Sequence, residues 1–346
     1  MKIGILVARG GPAGLWAPSC DAGAMLAAAE LNVAGGVHGR RVELVLADPG
    51  VTAAEAACAA ANLVEIDQAD AVVGMHLSDL RDPVRRQVAG RAPYVYTPPY
   101  EGGACGRNVL AIGGTDADML RPAIAWLAEH RHATRFFLLG NDYVWPQKGS
   151  LTAARLVAAA GGRITGRDTI PFGATDHAPV LERIRRARPD VVITFLVGLE
   201  AAAFNRAFAA AGLARRMLRF CLAADETVLY ATGADETENL YSASNYIGSA
   251  SSPQTDRYRE SHHDSFGSTA PATNVFGRSC YEGVHLVARL AQRSGTEGPA
   301  ALARHLSALT ESGRFRQLLP GRPESGRAPV HLVAADGLDF RVLTTR

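Results

Sequence analysis

The chain has 346 residues, with 36 basic against 34 acidic side chains and a net charge of +2. That length corresponds to about two domains and buries a core without disulfide or metal staples. The charge balance excludes a disordered polyelectrolyte and shows no overall basic excess of the kind that nucleic acid or an anionic membrane attracts. Five cysteines, Cys20, Cys58, Cys105, Cys221 and Cys280, are odd in number and form no CxxC pair. A structural zinc site and a full disulfide framework are therefore not expected, and reduced thiols are. After Met1-Lys2 the apolar run Ile3-Gly4-Ile5-Leu6-Val7-Ala8 is too short for a signal-peptide core. If Met1 is the natural start, a cytoplasmic location is expected; if an export signal preceded it, a periplasmic one. No 18-residue apolar run occurs, so no membrane insertion is expected.

Short apolar runs alternate with Ala-rich amphipathic stretches. In chain order the pattern predicts a strand over 3–8, a helix over 20–34, a strand over 41–47 and a helix over 52–67. In this last helix Thr52 and Glu55 have capping-box spacing. A strand over 71–74, a helix over 81–89 and a strand over 93–96 follow. Next come helix 119–129, strand 135–139, helix 148–160, strand 164–170, helix 178–187, strand 191–195, helix 200–211 and strand 219–222. Apolar runs separated by helices define an α/β protein with parallel sheets, whose strands are buried on both faces. The length implies two such sheets. In this class ligands bind beyond the carboxyl ends of strands, so those loops are the ones to read.

The first loop, Arg9-Gly10-Gly11-Pro12-Ala13-Gly14-Leu15-Trp16, is glycine-rich but matches neither G-x-G-x-x-G nor a P-loop. No nucleotide cofactor is expected. The other loops carry hydroxyls and aromatics: Gly74-Met75-His76-Leu77-Ser78, Tyr96-Thr97-Pro98-Pro99-Tyr100-Glu101-Gly102, Gly140-Asn141-Asp142-Tyr143-Val144-Trp145-Pro146, and Leu196-Val197-Gly198. Ser78, Tyr96, Thr97, Tyr100 and Tyr143 can each donate and accept hydrogen bonds, and Trp16 and Trp145 offer flat apolar walls. Such a set suits a small neutral polar molecule. A zwitterion stays open, because Ser78 opens a helix whose N-terminus favours negative charge. Each of these residues also has an ordinary reading as a turn or cap residue, Ser78 above all.

Asn32-Val33-Ala34-Gly35-Gly36 with Gly39-Arg40 and Asp48 resembles the signature of type I periplasmic-binding-protein-like domains. Pro99-Tyr100-Glu101-Gly102 and Gly140-Asn141-Asp142-Tyr143-Val144-Trp145-Pro146 resemble motifs of the short-chain amide and urea branch. Within it the chain is most similar to the cytoplasmic amide sensors of amidase operons, the AmiC type. The resemblance implies two Rossmann-like lobes with parallel central sheets, hinged by crossover strands near 113–118, 244–247 and 319–322. The lobes are set at 1–116 with 246–320, and at 117–245 with 321–346. It implies a short amide or urea-like ligand in the interlobe cleft, lined by Ser78, Tyr96 and Tyr143; the other expected ligand-binding residues are His76, Thr97, Pro98, Tyr100, Trp16, Gly198 and Asp225. It further implies lobe closure as the signal and an RNA-binding antiterminator as partner, with no direct nucleic-acid contact; homo-oligomerisation stays open. The alternative is a substrate-binding component of an ABC transporter for amides, urea or branched-chain amino acids. The chain departs from the sensor pattern at His76, where the sensors have tyrosine, at the exchanged Thr97-Pro98, and at Ala223-Ala224-Asp225-Glu226, where the sensors have hydroxyl residues.

No catalytic constellation stands out: there is no G-x-S-x-G, no H-E-x-x-H and no short-range Cys–His pair. A non-enzyme without cofactor or metal is expected. His130, His132, His262 and His263 read as solvated surface, Glu101 as a loop-orienting or an exposed carboxylate, and Cys105 as a small filler near the cleft.

Overall fold

The structure is a computed structural model that describes residues 1–103, 105–106, 109–295, 298–312, 315, 318–319 and 328–346. In chain order the elements are β1 (Lys2–Val7), α1 (Ala17–Val33), β2 (Glu43–Ala47), α2 (Ala53–Glu65), β3 (Ala71–Met75), α3 (Arg81–Val88), β4 (Tyr94–Tyr96) and β5 (Val109–Ala111). Then follow α4 (Asp116–Arg131), β6 (Arg135–Asn141), α5 (Val144–Ala159), β7 (Arg163–Ile170), α6 (Ala178–Ala187), β8 (Val191–Phe195), α7 (Leu199–Ala210), β9 (Leu218–Cys221), α8 (Glu226–Thr232) and β10 (Leu240–Ser244). The chain continues with α9 (Pro253–Phe266), α10 (Val275–Ser294), α11 (Pro299–Glu311), β11 (His331–Asp336) and β12 (Asp339–Thr345).

The chain divides into two compact units. One comprises Met1–Pro99, Gly103–Gly113 and Ser252–Ala328; the other comprises Tyr100–Gly102, Gly114–Ser251 and Pro329–Arg346. The sequence reading set the junctions at 116/117, 245/246 and 320/321; backbone proximity sets them at 113/114, 251/252 and 328/329, with the excursion 100–102 in the second unit. The crossover expected within Pro320-Gly321-Arg322-Pro323 lies outside the described residues.

The first unit is built on the parallel sheet β2-β1-β3-β4-β5. Its inner strand β3 is buried at every residue, as a strand covered by helices on both faces must be. Helices α1 and α10 pack at a glycine crossing: a Cβ on Gly23 would stand 2.1 Å from the Gly277 carbonyl oxygen, and one on Gly277 2.5 Å from that of Ser19. The α2 capping box forms as expected, with Thr52 Oγ1 accepting from the Glu55 N–H and Glu55 Oε2 accepting from the Thr52 N–H.

The second unit has the order β12-β11-β10-β9-β8-β6-β7. Its core is parallel, but β11 runs antiparallel to both β10 and β12. The expected parallel central sheets are present, and the second carries an antiparallel edge: β11 and β12 are joined by the short turn through Gly337, which a hairpin allows and a parallel crossover does not. Two element starts are also corrected. Helix α1 begins at Ala17 and α5 at Val144, because Pro18 and Pro146 lie in first turns, where no intrahelical N–H is needed. Strand β6 runs on to Asn141, so Gly140 and Asn141 belong to the strand and not to the loop.

Candidate functional site

In the first unit the carboxyl ends of β3 and β4 lie side by side, with Gly74 paired to Tyr96. His76 follows β3 and is 2 % exposed. Its Nδ1 lies 3.0 Å from the Leu77 carbonyl oxygen and its Nε2 2.8 Å from the Tyr94 hydroxyl. A carbonyl only accepts, so Nδ1 carries the proton and Nε2 accepts from Tyr94. Burial pushes the imidazole down to about 4, which keeps it neutral near pH 7. His76 was expected to line the ligand; both its ring nitrogens are bonded within the unit.

Tyr96 donates to the His76 carbonyl oxygen at 2.9 Å, and Ser78 Oγ stands 3.3 Å from the Tyr96 hydroxyl. The phenolic proton is spent on that carbonyl, so across the second contact Ser78 donates. His76, Ser78 and Tyr96 form one hydrogen-bonded corner. Thr97 and Pro98 follow Tyr96 and are buried. Thr97 is fully buried, with Oγ1 donating to the Gly74 carbonyl at 3.3 Å and accepting from the Cys280 thiol at 3.7 Å. The Pro98 carbonyl packs where a Cβ on Gly113 would fall. Trp16 is separate from this corner: it stacks on Phe276 with centroids 3.9 Å apart.

Arg81 escaped the sequence reading. It opens α3, three residues after Ser78, and its guanidinium lies over the Tyr96 ring at 4.9 Å. It is 9 % exposed and is the cation of this corner. Asp79 beside it has its carboxyl pushed up by burial and bonded to the N–H groups of Asp79 and Leu80. The signal available was the Ser-x-x-Arg spacing, which sets both residues on one side of a helical start.

The remaining expected residues, Tyr100, Tyr143, Gly198 and Asp225, belong to the second unit. Tyr100 was assigned to the first lobe; instead it pairs with Thr115, its N–H donating to Gly114 and its carbonyl accepting from Asp116. Tyr143 precedes α5 and packs against Trp145 and Phe172. Gly198 precedes α7 at φ 51 and ψ −118, a conformation that favours glycine. Asp225 caps α8, with Oδ1 accepting from the Val228 N–H at 2.9 Å. Tyr143, Gly198 and Asp225 are separate strand-end and helix-start positions of one sheet. Asn141, which sequence reading passed over, ties two of those strand ends together. Its Nδ2 donates to Ile170 and its Oδ1 accepts from the Val197 N–H.

Two buried carboxyls of this unit are also new. Asp116 accepts from Trp145 Nε1 at 2.9 Å, and burial with the nearby Glu101 charge pushes it up to about 8. Glu226 accepts from the Gly248 N–H at 2.6 Å, and burial with the neighbouring Asp225 pushes it up to about 8. Asp116 Oδ2 and Glu226 Oε2 find no hydrogen-bond partner among the described residues. Glu101 is not exposed: its side chain is buried and ion-paired to Lys148 at 3.6 Å. His262 is corrected too, being buried between Tyr258 and Phe266.

The five cysteines form no disulfide with one another; Cys105 is half-buried. Among the described residues no group of three or more His, Cys, Asp or Glu is placed to hold a metal ion. Among them, too, no helix is long and apolar enough to cross a membrane.

Two α/β units, each with a parallel-dominated sheet and a chain that passes repeatedly between them, define the type I periplasmic binding protein fold. The chain belongs to the periplasmic binding protein family, whose sequence profile matches residues 1–334. It is 28% identical over 244 residues to the Leu/Ile/Val-binding protein BraC3 of Rhizobium johnstonii, a match that spans 69% of this chain and 63% of that protein. Its fold is similar to the branched-chain amino acid transporter substrate-binding protein LivJ of Streptococcus pneumoniae, solved with isoleucine. The TM-score is 0.82 at 20% identity, over 100% of this chain and 98% of that one. A solute-binding protein of an ABC transporter from R. palustris, solved with 4-hydroxybenzoate, gives 0.81 at 18% identity over 100% and 96%.

Proposed function

We propose that this chain is a solute-binding protein that delivers a small carboxylate-bearing solute to an ABC-type transporter. The observation that carries the reading is the Ser78–Tyr96–Arg81 corner: a hydroxyl pair beside a guanidinium that lies on the Tyr96 ring. A guanidinium with an adjacent hydroxyl suits a carboxylate, whose charge needs a cation or donors to offset its desolvation. The named ligands of similar structures, isoleucine and 4-hydroxybenzoate, both carry that group. Arg81 touches the solute and Ser78 joins it by turning its proton from Tyr96 to a carboxylate oxygen, while His76, Tyr94 and Thr97 hold them in place. Tyr100, Tyr143, Gly198 and Asp225 are the second unit's candidates, each to be tested by its own variant.

A second reading is the amide sensor of the AmiC type, acting on an antiterminator partner. Its support is the neutral His76 and the hydroxyls of Ser78 and Tyr96, which would hydrogen-bond a short amide without charge. A thermal-shift panel separates the two: isoleucine, leucine, benzoate and 4-hydroxybenzoate against acetamide, propionamide and urea. A ligand at a hundredfold excess over its Kd stabilises the folded state by about 2.7 kcal/mol. The transport reading expects a shift with at least one acid and none with the amides; an amide-only response supports the sensor and overturns the carboxylate assignment. Fractionation of the native host adds a second arm, since delivery to a transporter requires export and the sensor requires retention in the cytoplasm.

A further inference from the structure

The second unit carries a basic concavity at the end of its sheet opposite to the strand ends described above. Helix α6 runs into β8 and the 211–217 loop runs into β9, and Val191 of β8 pairs with Leu218 of β9. This register sets the last turn of α6 beside that loop, at the amino ends of both strands. Between them lies an open depression of about 940 Å³, lined by Arg185, Arg186, Arg188, Arg215, Arg216 and Glu182 among others. The volume lies in the range of small-molecule sites, roughly 300–1,000 Å³.

Five guanidiniums meet one carboxylate there. Glu182 is already shared, bonded to Arg185 at 2.7 Å and Arg186 at 2.8 Å. Asp190, the other acid near Arg188 in sequence, is turned away: it accepts from the Thr134 and Arg135 N–H groups and pairs with the Arg135 guanidinium. Asp168 is paired with Arg183. Arg188, Arg215 and Arg216 therefore have no side-chain partner among the described residues, and all three are exposed. Arg188 also occupies a left-handed position at φ 47, where a helix end usually places glycine or asparagine. In a chain of net charge +2 this is a local concentration of uncompensated positive charge, and it repels itself unless an anion enters.

We propose that this concavity is a site for a soluble polyvalent phosphate anion, separate from the solute site. Every cation lining it is arginine, whose planar fork takes two oxygens of a phosphate at once. Its size and number of charges exceed what a single phosphate fills, which points to linked phosphates. This inference does not rest on the identity of the transported solute.

The test is calorimetric titration of the full chain with inorganic tripolyphosphate. We expect stoichiometric binding that weakens as NaCl rises from about 50 to about 500 mM. The Arg188→Gln/Arg215→Gln/Arg216→Gln variant should lose at least tenfold in affinity with its melting curve retained. An Arg257→Gln/Arg259→Gln variant, altered on α9 of the first unit at residues that do not line the concavity, should bind like the parent. Absence of binding to the parent overturns the proposal, as does equal weakening in both variants. Co-sedimentation with phosphatidylglycerol vesicles that excess tripolyphosphate does not displace would move the ligand to a membrane surface and overturn it as well.

Discussion

Replacing Asp116 by asparagine removes one carboxyl from the interior of the second unit and keeps its shape. The carboxyl is 1 % exposed, receives the Trp145 indole N–H at 2.9 Å, and lies near the Glu101 charge, itself paired to Lys148. Its pKa rises from 3.8 to about 8. In the folded chain it holds a proton that the unfolded chain has released, so across that window the unfolded state binds one proton fewer. Stability then falls with rising pH by about 1.4 kcal/mol per unit, reaching a penalty on the order of 4 kcal/mol at pH 7. The asparagine amide would present the same carbonyl oxygen to Trp145 and never ionise. Urea unfolding at pH 5, 6 and 7 reads the difference between the two proteins. The D116N profile should be flatter than the parent's by about 1.4 kcal/mol per unit, with the gain of the variant growing toward pH 7. Parallel profiles would refute the reasoning, because they would mean that Asp116 is ionised in the fold.

Three further outcomes follow from the geometry. Gly23→Ala drives a methyl to 2.1 Å from the Gly277 carbonyl oxygen; an overpacked crossing of this kind costs roughly 1–3 kcal/mol, visible as a lower urea midpoint, and an unchanged midpoint would deny the close approach. Thr52→Ala removes one half of the α2 capping box and should cost about 1 kcal/mol, whereas Thr52→Ser should be nearly neutral. His76 has its pKa lowered to about 4, so the unfolded chain takes up a proton below about 6.5 that the folded chain refuses. Stability contributed by this residue is thus present above pH 6.5 and lost toward pH 4. Nitrogen NMR at pH 6 should show a neutral ring protonated on Nδ1, and an imidazolium signal would contradict the hydrogen-bond assignment.

Much of the fold was legible in the residues because parallel strands buried on both faces are written as continuous apolar runs. Ala71-Val72-Val73-Gly74-Met75 and Val191-Val192-Ile193-Thr194-Phe195 became fully buried strands. The carboxyl-terminal hairpin was less legible. Its strands β11 and β12 are partly exposed and mix Arg, Asp and Thr with apolar residues, so periodicity alone does not mark them. Helix starts were read late at α1 and α5, whose first turns hold Pro18 and Pro146, whereas Pro179 in the first turn of α6 did not hide its start. At the candidate site, the strand-end rule pointed to the neighbouring residues Ser78 and Tyr96 but could not say which polar groups are already bonded inside the unit. His76 and Thr97 are so bonded, to the Leu77 and Gly74 carbonyls, and such partners are fixed by the tertiary fold. Arg81 was passed over because a charged residue at a helix start reads as solvated surface; its stacking on Tyr96 is a tertiary contact. Asp116 and Glu226 were missed for the same reason, since burial of an acid leaves no mark in the local sequence.

The central claim is that the Ser78–Arg81 corner recognises a carboxylate. Its most direct measurement is calorimetric titration with the acid that gives the largest thermal shift and, in parallel, with that acid's own primary amide. A charge-assisted hydrogen bond contributes about 1.5–3 kcal/mol. The acid should therefore bind at least tenfold more tightly than its amide in the parent, and Arg81→Gln should remove most of that preference. Equal affinity for acid and amide, or a preference that survives Arg81→Gln, would contradict the account.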